Sequence, residues 1–286
     1  MNSRPQPEFA EARRRLQRAT KHREEMIAIH VASEKDYGLR LRLRQRLDGN
    51  AVEVVVTFTA DPMLSTVFGE WLAAVRGILD HIFYQLAIHE TGKNPPSRPG
   101  QRQFPVCRDN ESFESLLTGH AKPLHGFSPA MIDAVRAMQP FKGKYGPDGD
   151  AILWFHDLAR QDRHRVPWEM GCLVHSVVPE FRPEDVSRIV RHYYADTAII
   201  PPVASAAREF VPLVFETHSA ADAEYFASGQ IGVTAESKLE VVDWYVRAHT
   251  EGISANIRND SLGDRMMFIE YFLGRVIDEF EGMVAR

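Results

Sequence analysis

Two short segments concentrate the residue types that carry out acid–base and phosphate chemistry. The first is Arg76-Gly77-Ile78-Leu79-Asp80-His81. The second is His156-Asp157-Leu158-Ala159-Arg160-Gln161-Asp162-Arg163-His164-Arg165. Each sets arginine, histidine and aspartate inside an otherwise apolar helical pattern, and such side chains are rarely buried without partners. In the first segment Arg76 and Asp80 are four residues apart and can pair on one helix face. His81 points elsewhere, to a side built of Ala73, Ala74, Gly77 and Tyr84. Small residues let another helix approach closely there, from this chain or from a second copy, and a histidine at such a seam responds to its neighbours. In the second segment His156, Arg160 and His164 recur at spacings of four, Asp157 lies beside His164, and Arg163 and Arg165 add charge at the helix end. That density of donors and cations suits a phosphate or another anion. Asp157, His156 and His164 are also competent metal ligands, although the arginines repel a cation. Both segments have plainer uses: Arg76–Asp80 as a brace, and the terminal arginines as complements to the helix dipole.

The elements that must position these residues follow from hydrophobic periodicity. Residues 64–90 read as one long helix with an apolar stripe of Val67, Trp71, Val75, Ile78, Ile82 and Leu86. Residues 150–164 read as a second helix, starting at Asp150 and stopped before Pro167. A charged helix is expected over 7–30, followed by period-two alternation. Leu39, Leu41 and Leu43 point one way, and Arg40, Arg42, Arg44 and Arg46 point the other. Asp48-Gly49 marks a turn, and Val52, Val54, Val56 and Phe58 alternate on the return strand. Glu53 is the expected cross-strand partner of the arginines. Short helices are expected near 111–118 and 128–138, the latter capped by Ser128. Gly143 to Gly149 reads as a polar loop. Further on, the pattern predicts strands at 168–178, 208–217 and 230–235, and helices at 183–194, 236–250 and 262–284. The last of these carries an apolar face of Met266, Ile269, Phe272, Val276, Ile277 and Phe280. The sum is an α+β fold, mostly α-helical, with a small antiparallel sheet that includes the N-terminal hairpin. It is read as a single domain over 1–286: helix and hairpin at 7–60, helical core at 64–195, strands and helices at 205–286.

Composition narrows the function classes. The 286 residues are 44% hydrophobic and 26% charged, ordinary for a globular chain. No apolar run approaches the roughly 20 residues that span a bilayer, and the polar N-terminus is not a secretory signal. With only Cys107 and Cys172, neither a disulfide framework nor a zinc site is expected, which fits a cytoplasmic location. The net charge of −5 conceals an asymmetry: residues 1–50 hold 12 Lys+Arg against 7 Asp+Glu. A basic N-terminal segment on an acidic body suits phosphates or an acidic partner surface, or simply a solvated face.

Three resemblances bear on function. Gly69-Glu70, Arg76 to His81, Phe104-Pro105-Val106, Gln139-Pro140-Phe141 and Asp162-Arg163-His164-Arg165 together resemble a family of uncharacterised bacterial proteins. That family carries an arginine-to-aspartate-histidine helix and a later aspartate-lysine-histidine-arginine; here Arg163 stands for the lysine and Gly77 for a serine. The Arg76-to-His81 spacing also resembles the active-site motif of the HEPN superfamily, many of whose members are helical, dimeric, metal-independent ribonucleases. That resemblance implies a homodimer acting on RNA or another anionic ligand, with no cofactor. His81 would be general acid or base, Arg76 the stabiliser of the phosphorane charge, with Asp80 beside them. His156, Arg160, Arg163, His164 and Arg165 would hold the phosphate backbone together with Arg40, Arg42, Arg44 and Arg46. Lastly, Leu153-Trp154-Phe155-His156-Asp157-Leu158 resembles the His-Asp core of metal-dependent HD-type phosphohydrolases. This implies further ligands such as His120 or His125 upstream and Asp196 downstream. The alternative to an enzyme is a non-catalytic binding or interaction protein, in which the polar helices brace the fold.

Overall fold

The computed structural model describes residues 7–33, 36–118, 122–162, 168–197, 201–252 and 260–285. In chain order the elements are α1 (Ala10–Ser33), β1 (Gly38–Gln45), β2 (Ala51–Thr59), α2 (Pro62–Thr91), α3 (Asn110–Glu114), α4 (Pro129–Ala137) and α5 (Ala151–Asp162). Then come β3 (Met170–Glu180), β4 (Ile189–Tyr194), β5 (Val203–Ala204), β6 (Phe210–Thr217), α6 (Ala220–Ala227), β7 (Gly232–Val241), α7 (Val242–Thr250) and α8 (Leu262–Val284). The fold is α+β, mostly helical, with every strand pairing antiparallel. Among the described residues no helix is long and apolar enough to cross a membrane. Two compact units divide the chain: residues 1–26, 66–167 and 253–286 form one, and residues 27–65 and 168–252 form the other. The division is not sequential, since the N-terminal hairpin shares a unit with the later strands while the first and last helical stretches share the other.

The strand unit has a four-stranded sheet in the order β1-β2-β6-β4 and a three-stranded sheet in the order β5-β3-β7. Its hairpin forms as the alternation predicts. Leu39 pairs with Phe58, Leu41 with Val56 and Leu43 with Val54, and Gly49 takes the left-handed φ of 85° that the turn needs. The buried face of Val52, Val54, Val56 and Phe58 packs with Phe210, Leu213 and Phe215 of β6, with Cys172, Val174 and Val177 of β3, and with Ala223 and Phe226 of α6. Cys172 and Cys107 are free and buried. Burial pushes their thiols up to about 12 and about 11 respectively, so neither is a ready nucleophile.

Gly171 on β3 marks a close backbone crossing. A Cβ there would stand 2.5 Å from the Ala204 carbonyl oxygen and 2.6 Å from Val242 Cγ2. Gly171→Ala must therefore displace β5 or α7. The expected cost is about 1–3 kcal/mol, as for other overpacked sites, read as a lower urea midpoint with the slope unchanged.

Three stretches differ from the periodicity reading. Residues 183–194, expected as a helix, are a short 3₁₀ turn at Pro183–Arg188 followed by β4. Ile189-Val190 and Tyr193-Tyr194 are β-branched and aromatic, and the edge of β6 supplies their hydrogen bonds. The strand expected at 230–235 runs on to Val241, because β3 pairs with it from Glu180↔Gly232 to Met170↔Val241. The helix expected from 236 therefore begins at Val242. Helix α6 and the two-residue β5 have no counterpart in that reading, although Ser219 caps α6 by accepting from the Asp222 N–H.

In the helical unit the α2 stripe is buried as expected: Val67, Trp71, Val75, Ile78, Ile82 and Leu86 are all at most 1% exposed. So is the α8 face, with Phe272 half-buried at its margin. Trp71 stacks on Phe68 and lies 6.3 Å from Trp154, while Phe83 contacts Phe104 and Phe127. Glu270 is one of the charged residues buried in this unit. The Glu270 carboxylate on α8 accepts from Arg23 Nε at 3.0 and 3.1 Å, Thr20 Oγ1 at 2.9 Å and Trp71 Nε1 at 3.1 Å, tying α8 to both α1 and α2.

Candidate functional site

Residues 76–85 of α2 grip two other parts of the helical unit by their backbones. Arg76 Nη2 donates to Asp80 Oδ1 at 2.7 Å and to the Phe104 carbonyl at 2.8 Å. The Phe104 N–H in turn donates to Asp80 Oδ1 at 3.0 Å. Both backbone groups of Phe104 are thus satisfied by a pair of side chains four residues apart, in a segment with no strand partner to do so. One turn further along, the arrangement repeats. His81 Nε2 lies 3.1 Å from the Glu8 carbonyl, and Gln85 Oε1 accepts from the Glu8 N–H at 2.9 Å. A carbonyl only accepts, so His81 carries its proton on Nε2 and donates. Arg76 and His81, five residues apart, diverge by about 140° around the helix and grip different segments.

The side of small residues near His81 is occupied by this chain's own α1. A Cβ on Gly77 would stand 2.6 Å from Arg15 Nη1, and Leu16 lies 3.5 Å from the corresponding position on Gly274 of α8. Glycine at 77 leaves room for the Arg15 guanidinium, which also pairs with Glu11 at 3.2 Å.

Helix α5 is capped by Asp150, whose Oδ1 accepts from Ile152 N–H at 2.8 Å and Leu153 N–H at 3.3 Å. His156 and Asp157 are half-buried and Arg160 is exposed. Asp157 accepts from Arg108 Nη2 at 3.2 Å, and Arg108 also pairs with Asp148 at 2.7 Å. Arg163, His164 and Arg165, expected in the anion cluster and the metal set, lie outside the described residues, as does His120. Asp196 belongs to the other unit. Among the described residues no group of three or more His, Cys, Asp or Glu side chains is placed to hold a metal ion.

Two further contacts tie α2 and the 104–107 segment to their surroundings. An added Cβ on Gly69 would stand 3.0 Å from Asp162 Oδ2, so the glycine makes room for that carboxylate. Gln139, 1% exposed, donates to the Pro105 and Val135 carbonyls at 3.1 and 3.0 Å and accepts from the Cys107 N–H at 2.9 Å. Phe104 to Cys107 is therefore stitched by Arg76 and Asp80 at one end and by Gln139 at the other.

Three of the four arginines on the hairpin face are matched by acids. Arg42 pairs with Glu209; Arg44 bonds Glu53 at 2.7 Å and Glu209 at 2.9 Å. Arg46 donates to Tyr193 Oη at 2.9 Å and lies 3.5 Å from Asp48. Arg40 reaches the Leu39 carbonyl. Arg42, Arg44 and Arg46 thus share a solvated ion-pair lattice, and Arg42 and Arg44 hold the Glu209 carboxyl below its usual range.

A concavity suited to an apolar ligand lies elsewhere in the helical unit. A pocket of about 380 Å³ opens between the 143–152 segment and the first turns of α8. Its wall is apolar: Ile152, Trp154, Phe268, Ile269 and Phe272. Arg265, 3% exposed, lies over the Trp154 ring at 5.1 Å and donates to the Asp260 carbonyl at 2.6 Å. Asp150 forms part of the floor, and burial raises its carboxyl above the usual range against the pull of its two N–H bonds. Lys144 and Tyr145 complete the mouth, with Lys144 Nζ 5.2 Å from the Tyr145 ring. Phe268 is 57% exposed, and Met267 and Tyr271 beside it are also open to solvent.

No protein-family model, no curated protein and no solved structure matches this chain. Periodicity missed the pocket because its two halves are more than 100 residues apart in sequence. One signal was available: Met267, Phe268 and Tyr271 are large apolar side chains lying off the α8 core stripe, where a solvated helix would carry polar ones.

Proposed function

We propose that this chain is a non-catalytic binding protein whose helical unit takes a small, flat, apolar ligand in the pocket between the 143–152 segment and α8. The observation that carries this reading is the pocket's chemistry. Its volume of about 380 Å³ falls within the range of small-molecule sites, which are mostly apolar with a few convergent polar groups. Trp154, Phe268 and Phe272 offer ring faces, and Arg265 and Asp150 offer the polar end. The engagement of Arg76 with Phe104 and of His81 with Glu8 also supports it, since ribonuclease chemistry needs both side chains free to meet one phosphate.

The test is saturation-transfer NMR with 2-naphthol as the probe. Wild-type protein transfers saturation to the naphthyl protons. Ala151→Trp, which fills the pocket from the half-buried first residue of α5, loses the transfer while circular dichroism stays unchanged. Equal transfer by the folded variant would remove the pocket as the site. In parallel, a single-stranded RNA oligonucleotide incubated without metal stays intact. Cleavage that disappears in folded His81→Ala would overturn the binding reading in favour of the ribonuclease.

A further inference from the structure

A second cavity in the helical unit has opposite character, and we propose that it is a site for a tetrahedral oxyanion: inorganic phosphate or a phosphomonoester head group. The cavity holds about 170 Å³ and is lined by Ser97, Arg98, Gln101, Arg102, Lys122 and His125. None of these is acidic, and three carry a fixed positive charge. By volume it admits about six waters, which is room for a tetrahedral anion with part of its hydration.

Arg102 forms the base of the site. It is only 5% exposed, yet the partners of its guanidinium are backbone carbonyls: Nε donates to Ser97 at 3.1 Å, and Nη1 and Nη2 donate to His125 at 3.1 Å, with Nη1 also on Pro123. Carbonyl dipoles orient the group without neutralising it. Burial alone pulls its pKa down, the mark of a cation not offset by a carboxylate. A buried charge is ordinarily paired, and an anion in the adjoining cavity supplies that pairing. At the mouth, Arg98 and Lys122 are exposed and have no ion-pair partner among the described residues. Arg98 moreover holds φ 55° and ψ 61°, a left-handed conformation that a non-glycine residue adopts at a cost and that tends to occur at ligand clamps. Arg102 supplies fixed positive charge at the base, and Arg98 and Lys122 above it have donors to make charge-assisted hydrogen bonds to an oxyanion.

The plainer role, Arg102 as a cross-link between the 97–102 and 123–125 segments, requires nothing of Arg98 or Lys122. Those two therefore carry the test. Isothermal titration of the full chain with inorganic phosphate in low-salt buffer shows one-site binding that an equal concentration of chloride does not displace. Arg98→Ala and Lys122→Ala each weaken it about tenfold, the loss of one charge-assisted contact, with thermal unfolding unchanged. A parallel titration with glycerol 3-phosphate separates the sources. Tighter binding of the ester assigns the site to a phosphomonoester, and tighter binding of the free ion assigns it to phosphate. Absence of binding by both, displacement by chloride, or variants that bind as wild type does would each overturn the proposal. None of these results bears on the apolar pocket.

Discussion

Replacing Glu270 by alanine is expected to destabilise the helical unit by about 3–5 kcal/mol, the usual cost of removing one partner from a buried charged network. Its carboxylate accepts from Arg23, Thr20 and Trp71 at once. Glu270→Ala leaves a nearly buried guanidinium, a hydroxyl and an indole N–H without an acceptor, and opens a void between three helices. Glu270→Gln keeps an acceptor oxygen but loses the charge and one of the two Arg23 contacts, so a smaller loss is expected. Urea unfolding followed at 222 nm for the three proteins checks the order. A stability for Glu270→Ala within about 0.5 kcal/mol of wild type, as for an ordinary surface change, would mean that the network contributes no more than a solvated ion pair.

The second large effect belongs to Arg76. Its side chain is 6% exposed, and it bonds both Asp80 and the Phe104 carbonyl. Arg76→Ala removes the guanidinium that pairs with the Asp80 carboxylate, strands the buried Phe104 carbonyl and creates a cavity beneath the 104–107 segment. A loss of about 3 kcal/mol follows from the broken buried pair. Asp80, with a quarter of its side chain exposed, costs less when removed. The double variant Arg76→Ala/Asp80→Ala falls short of the sum of the singles by about 1–2 kcal/mol, as residues sharing one network do. The ribonuclease reading makes the opposite forecast: Arg76→Ala would keep its stability and lose a rate.

These two predictions turn on residues that sequence reasoning treated unevenly. Arg76, Asp80 and His81 stood out as polar side chains in an apolar helix. Their partners did not, because Phe104 and Glu8 lie 28 and 73 residues away from the side chains that hold them. Hydrophobic periodicity records which face of a helix is buried, not which backbone passes over its edge. Glu270 escaped notice for a related reason: it sits between Ile269 and the exposed Tyr271, and a single acid in an amphipathic helix reads as solvated. The hairpin and α8 were legible because their patterns are local and their periods clean. Residues 189–194 and 236–241 were not, since edge pairing to β6 and full-length pairing to β3 decide their conformation and both partners are distant in sequence. The arginine row on β1 was placed on the right face, and Glu53 was foreseen as its partner. Glu209, which engages both Arg42 and Arg44, comes from beyond β5 and could not be.

The binding reading is tested most directly by mapping the probe onto the molecule. With isoleucine δ1 methyls labelled, 2-naphthol is titrated into the wild-type chain and methyl shifts are followed by NMR. The account predicts saturable shifts at Ile152 and Ile269, which line the pocket, and no change at Ile189 in the strand unit. Unmoved Ile152 and Ile269 methyls, or shifts of equal size at Ile189, would contradict it.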